Sequence, residues 1–248
     1  MKKPALAVSA LLAAITMWAQ LPAPNKTGVA AGHHIFTAKD LTAANAFWAA
    51  LGSGAGELGT LKLIKFPGVL FLARQGNPAG GSEGSSVDYL GFKVKDLKGT
   101  LAKMDALGYK PSPGATAAQA FVVGPDAVKY HFVEDRNLAT AVESDEVRIV
   151  APKGAADWYV KYFGGPNIPG ARLTFTESAA AMAPTKGRAL DRLGFEVTDL
   201  PAFVERMKDS GVMVSNIATA KAMPLSVVTL TDPWGTFIEV SQGLEAVK

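Results

Sequence analysis

The chain has 248 residues, 48% hydrophobic and 19% charged, enough apolar content for a packed core in one large or two smaller domains. It has no cysteine, which excludes disulfides, thiolate metal centres and cysteine nucleophiles. The net charge of +3 falls to +1 if Lys2 and Lys3 are removed, and there is no dense Lys/Arg run, so neither nucleic acid nor a membrane surface is an expected partner.

In chain order, Lys2 and Lys3 precede an apolar stretch from Ala5 to Trp18. This is the pattern of a signal peptide over residues 1–19, so the mature protein is expected in the periplasm or secreted, with no membrane segment after cleavage. Residues 20–30 form a linker. His33–Asp40 is strand-like, and Ala44, Phe47, Trp48 and Leu51 then make a helical stripe closed by Gly52. Strands follow at Leu61–Phe66 and Val69–Arg74. The Gly/Ser-rich stretch Gly76–Ser86 leads to a second unit: strand Tyr89–Val94, capping Asp96, a helix with Leu97, Leu101, Met104 and Leu107 on one face, the stop Gly108, and strands Phe121–Val123 and Lys129–Val133.

The second half repeats this order. Glu146–Pro152 is strand-like, the stripe of Trp158, Tyr159, Tyr162 and Phe163 is helical, and Arg172–Thr176 is a strand. After Glu177–Arg188 come strand Arg192–Val197, capping Asp199, a helix to Gly211, and strands Val227–Thr231 and Thr236–Ser241. Tyr89–Tyr109 and Arg192–Val212 match at eight of 21 positions with an offset of 103 residues, including Leu-Gly-Phe in the strand and the capping aspartate. The reading is α+β: four tandem βαβββ-like units in two pseudo-symmetric domains, 31–138 and 139–248, divided at the break Asp135–Ser144.

Pro184–Phe195 and Thr231–Gln242, which contains Asp-Pro-Trp-Gly-Thr-Phe-Ile-Glu, resemble the C-terminal module of the vicinal oxygen chelate superfamily, the glyoxalase, bleomycin-resistance and extradiol-dioxygenase relatives. The resemblance extends over roughly Ala31 to Leu244. It implies curved sheets around clefts, a small-molecule ligand, and a monomer or homodimer. A divalent metal (zinc, nickel, iron or manganese) would be held by residues of the first and a late strand of each unit. The implied function is the binding of a small oxygen-rich or aromatic molecule, either by a metal-dependent enzyme of lyase or isomerase type or by a protein that sequesters its ligand without chemistry.

Carried over position by position, the resemblance implies His33 and His131 as metal ligands in the N-terminal half. His131 is opposite Glu239 when Pro125 is aligned with Pro233. Tyr89 stands where the family has a histidine, and Lys93 lies on the same strand face. A slip of one residue would turn the side chain to the other face, and His34 and Arg148 remain open as alternatives to His33 and Glu146. The late-strand position of the first unit in each half falls on Phe71 or Phe175. The C-terminal cleft has Glu146, Arg192 and Glu239. Arg192 occupies a ligand position but has no lone pair to give, so no metal is expected there, an extradiol dioxygenase is disfavoured, and an Arg192–Glu239 ion pair is expected, with Glu146 as a second partner.

Overall fold

The computed structural model describes residues 21–247; the signal-peptide reading, on residues 1–19, lies outside the described residues. The elements run β1 (Val29–Ala38), α1 (Leu41–Leu51), β2 (Gly54–Leu58), β3 (Leu61–Phe66), β4 (Val69–Gln75), then β5 (Val87–Val94), α2 (Leu97–Ala106), β6 (Pro111–Pro113), β7 (Gln119–Val123), β8 (Lys129–Glu134). The third unit is β9 (Val142–Ala151), α3 (Ala155–Phe163), β10 (Asn167–Ile168), β11 (Ala171–Glu177). The fourth is β12 (Leu190–Val197), α4 (Leu200–Asp209), β13 (Ala218–Thr219), β14 (Ser226–Thr231), β15 (Phe237–Gln242), followed by a 3-10 turn, Leu244–Ala246.

The helix starts follow the expected chemistry. Asp96 accepts from the Gly99 amide at 2.9 Å and Asp199 from the Ala202 amide at 2.9 Å, and Asp40 does the same for α1 through Thr42 and Ala43. Gly108 and Gly211 close α2 and α4 with φ of +90° and +76°. Leu107 departs from the expected stripe: it lies at the C-terminal end of α2 and is exposed, whereas Leu97 and Met104 are buried.

The strands form two mixed sheets. The first has the order β13-β14-β15-β12-β1-β4-β3-β2, the second β10-β11-β9-β5-β8-β7-β6. Each sheet therefore joins one unit from each half of the chain, the first with the fourth and the second with the third, through the antiparallel pairs β1–β12 and β5–β9. The break after Asp135 lies within the second sheet. The stretches 76–86 and 178–189 cross between the sheets and are tied together, with Arg188 Nε donating to the Gly81 carbonyl at 2.8 Å.

One hydrophobic core joins all four helices and one face of each sheet. Phe66 and Phe71 of the first sheet meet Phe92 of the second at ring separations of 5.1 and 6.1 Å. Two buried hydrogen bonds cross between units in this core, Trp48 Nε1 to Tyr130 Oη at 3.0 Å and Tyr159 Oη to Asp232 Oδ2 at 2.6 Å. The faces turned away from this core form the two clefts. Among the described residues, no helix is long and apolar enough to cross a membrane.

Two candidate clefts on one frame

The Leu-Gly-Phe repeat has a steric cause. In the first sheet Gly32 and His33 of β1 stand opposite the single residue Gly194 of β12; in the second, β9 bulges at Asp145 beside Gly91 of β5. A Cβ on Gly194 would stand 2.7 Å from His33 Nδ1, and one on Gly91 2.7 Å from the Cβ of Glu146. Glycine thus lets the bulged strand bring His33 or Glu146 over its neighbour. His33 and Glu146 are equivalent positions, and the two alternatives differ: His34 is buried beside Phe71, and Arg148, two residues beyond Glu146, lines the same cleft.

The strand register gives the other positions. Two residues beyond Arg192, Gly194 pairs with Glu239, and two beyond Tyr89, Gly91 pairs with His131. By the same step Ile35 pairs with Leu72 and Arg148 with Thr174. The late-strand residues are therefore Leu72 and Thr174, not Phe71 and Phe175: Phe71 points to the core, and a shift of one residue changes the face.

The first cleft thus has His33, Leu72, Arg192 and Glu239. His33 Nε2 is 2.9 Å from Glu239 Oε1, and Arg192 Nη1 donates to Glu239 Oε2. Arg192 Nε also donates to Asp191 Oδ2 at 3.0 Å, and Arg74 reaches the same oxygen at 3.1 Å. Burial alone would raise the Glu239 pKa, but the His33 hydrogen bond and the Arg192 charge hold it below the ordinary value. The expected Arg192–Glu239 pair is present; Glu146, its expected second partner, is in the other sheet. Over the same face the two edges of the sheet meet through a second apolar cluster, Leu58, Leu63, Leu70 and Leu244, with Leu72 packed against it. Glu196 fastens the C-terminal turn to this face: its Oε1 accepts from the amides of Gly243 and Leu244 at 2.6 and 2.9 Å.

The second cleft has Tyr89, His131, Glu146 and Thr174, and opens into a cavity of about 550 Å³ that Lys93, Arg148 and Arg172 also line. Glu146 is buried at its floor. Arg148 Nη2 is 3.0 Å from Oε1, Tyr89 Oη donates to Oε1 at 3.2 Å, and the Thr174 hydroxyl donates to it as well. Arg172 Nη2 lies 3.4 Å from Oε2 and 2.7 Å from Asp145. Burial would raise the Glu146 pKa, but the contacts to His131 and Thr174 and the two guanidinium charges bring it down to about 2. His131 stacks on Phe121 at 4.6 Å, and its Nδ1 lies 3.5 Å from Glu146 Oε2, a long contact.

His33 and His131 are therefore not brought together. They occupy different sheets, because the units pair across the halves of the chain, and the two-histidine metal site expected of them is not formed. Tyr89 and Lys93 do share a cleft with His131, and Glu146 joins them. Arg172, Asp145 and Thr174 were missed by sequence reasoning, since each becomes a site residue only once β9 and β11 are known to lie beside β5; Phe121, on β7 opposite His131, was missed as well.

No protein-family model and no curated protein sequence matches the chain. Among solved structures, glyoxalase I from Zea mays superposes with a TM-score of 0.65 and 12% identity, over 88% of this chain and 93% of that one. The cppA protein from Streptococcus pneumoniae TIGR4 gives 0.53 and 11%, over 85% and 97%. The chain has the vicinal oxygen chelate fold. At these identities the likeness is one of fold, and the sites have to be judged on their own residues.

The vicinal oxygen chelate fold implies a divalent metal at the four cleft positions, and neither set of residues fits one. In the first cleft a guanidinium without lone pairs fills one position and an aliphatic chain another. In the second, one imidazole and one carboxylate are joined by two hydroxyl groups, and both carboxylate oxygens already lie against guanidinium groups. Among the described residues no three His, Asp or Glu side chains converge as a metal set would require. Arginine supplies in each cleft the positive charge that a metal would bring.

Proposed function

We propose that this protein is an exported binding protein of the vicinal oxygen chelate fold that holds a small oxygen-rich or aromatic molecule in the cleft of its second sheet, without a resident metal. The observation that carries this reading is the contrast in cover: the first cleft is filled by its own leucines and C-terminal turn, whereas the second is an open cavity of about 550 Å³ with polar and aromatic groups converging in it. Sequestration is favoured over catalysis by Glu146. A carboxylate held at about 2 and engaged on both oxygens is a weak base at neutral pH. The fold shared with glyoxalase I supports a small-molecule ligand, and each cleft is completed within one chain, so binding needs no second copy. Export rests on the signal-like residues 1–19; mass spectrometry of the secreted or periplasmic protein should find them removed, and recovery of the full-length chain from the cytosol would contradict it.

Two-dimensional NMR with mixtures of small polyols, hydroxy acids and aromatic compounds tests the cleft. Shifts are expected at the amides of β5, β7, β8 and β9. Shifts confined to β1, β12 and β15 would overturn the assignment.

A further inference from the structure

We infer that the ligand of the second cleft is a small aromatic monoanion, its carboxylate received by Arg172 at the mouth and its ring by the corner that Tyr89, Phe121 and His131 form; this rests on the open-cleft reading above. Charge is the first argument. Three permanent cations of the lining, Lys93, Arg148 and Arg172, face two carboxylates, Asp145 and Glu146, leaving one positive charge in excess. One anionic group balances the cavity. A cationic ligand would be repelled, and a dianion would bring a charge that nothing in the lining balances.

The place of that charge follows from who is already engaged. Arg148 is three-quarters buried, with Nη2 at Glu146 and Nε on Tyr89 Oη at 3.0 Å. Arg172 is 44% exposed and bonds Asp145 and Glu146 only through Nη2, which leaves its Nη1 and Nε donors without a partner among the described residues. Either can give a carboxylate oxygen a charge-assisted hydrogen bond. Lys93 is 40% exposed, lies 3.5 Å from Asp145 and adds charge beside Arg172. The floor offers no such place, because Glu146 would repel an anion that went deeper.

The rest of the ligand is set by the aromatic corner. Phe121 and His131 are stacked with an interplanar angle of 20°, and Tyr89 stands at 67° and 64° to them, with centroids 5.5 and 5.2 Å away. Lys129 lies 5.0 Å over Phe121 but is paired with Asp88 at 3.1 Å, so it does not alter the balance. A flat, polarisable ring suits walls inclined in this way through stacked and edge contacts.

Isothermal titration of the mature protein with benzoate, benzamide and phthalate tests the inference. Benzoate should bind and benzamide should bind at least about tenfold more weakly, the change expected on losing one charge-assisted hydrogen bond. Phthalate should bind no better than benzoate. Arg172→Gln should weaken benzoate by a similar factor and benzamide by less, Arg172→Lys should retain part of the affinity, and Phe121→Ala should weaken both. Equal binding of benzoate and benzamide, tighter binding of phthalate, indifference to Arg172→Gln, or no binding of benzoate at millimolar concentration would each overturn it. The NMR mapping with non-aromatic and neutral molecules judges the open cleft separately, so the ligand class can fall while the cleft stands.

Discussion

His33 and Glu146 stand at the same point of the same bulge, one in each sheet, and a glycine of the same Leu-Gly-Phe motif faces both. Their surroundings have diverged. Around His33 the polar groups are joined in a small closed network, and leucines from both edges of the sheet lie over it. Around Glu146 the network is larger and more cationic, and among the described residues no comparable apolar cluster covers it. The comparison teaches that one backbone frame can carry either a second hydrophobic cluster or an open cavity. Among the described residues the difference lies in a few side chains, leucine against threonine at the late strand, and in the C-terminal turn on the first sheet.

The largest expected effect is a gain of function in the closed cleft. Arg192→His adds an imidazole beside His33 and Glu239, completing a two-histidine, one-carboxylate set. The variant should retain one equivalent of zinc or nickel after dialysis, measured by elemental analysis. A variant as metal-free as the parent would break the claim that Arg192 stands in for a metal.

Next comes the cover itself. Leu70 is buried among leucines, so Leu70→Ala should cost about 3 kcal/mol in denaturant unfolding. Phe121, half-buried at the wall of the open cavity, should cost only about 1 kcal/mol when replaced by alanine. Equal losses would mean that the second cleft is a core as well.

The ion pairs give a smaller contrast. Arg192→Ala leaves buried Glu239 with His33 alone, for a loss of about 2 kcal/mol. Arg148→Ala leaves Glu146 with Arg172, Tyr89 and Thr174, for a loss of about 1 kcal/mol. Reversal of that order would show the open cleft to be the tighter network.

Acid should probe the core beneath the first sheet and then the second cleft. Burial, then the neighbouring His33, lowers the His34 pKa to about 3 from 6.5. Between those values the unfolded chain binds a proton that the folded chain does not. Stability therefore falls as pH drops below 6.5, by up to about 1.4 kcal/mol per pH unit. Glu146, at about 2 against 4.5, adds to the slope below pH 4.5, where the stability its depressed pKa supplies at neutral pH is lost. His34→Asn should flatten the slope between pH 6.5 and 4.5 and reduce it below pH 4.5 to the part that Glu146 supplies; an unchanged profile would remove His34 from the account.

Much of this was legible in the sequence because it is local. The order of strands and helices follows from periodicity, the helix starts from Asp96 and Asp199, and the Arg192–Glu239 pair from the alternation of one strand and its hairpin. The pairing of units was not, because no residue of the repeat distinguishes a neighbour in the same half from one in the other. That choice separated His33 from His131 and put Glu146 beside Tyr89. The identity of Thr174 and Leu72 as cleft residues turned on a register of one residue, and the presence of Asp145 in the cleft on a bulge, neither of which hydrophobic pattern encodes.

A crystal of the protein soaked in benzoate tests the central contrast most directly. The account predicts the ligand in the second cleft, against Arg172 and Phe121, with Leu244 still packed on Leu70 and no ligand beside His33 and Glu239. A benzoate seated on Arg192, with the C-terminal turn displaced and the second cleft empty, would contradict it.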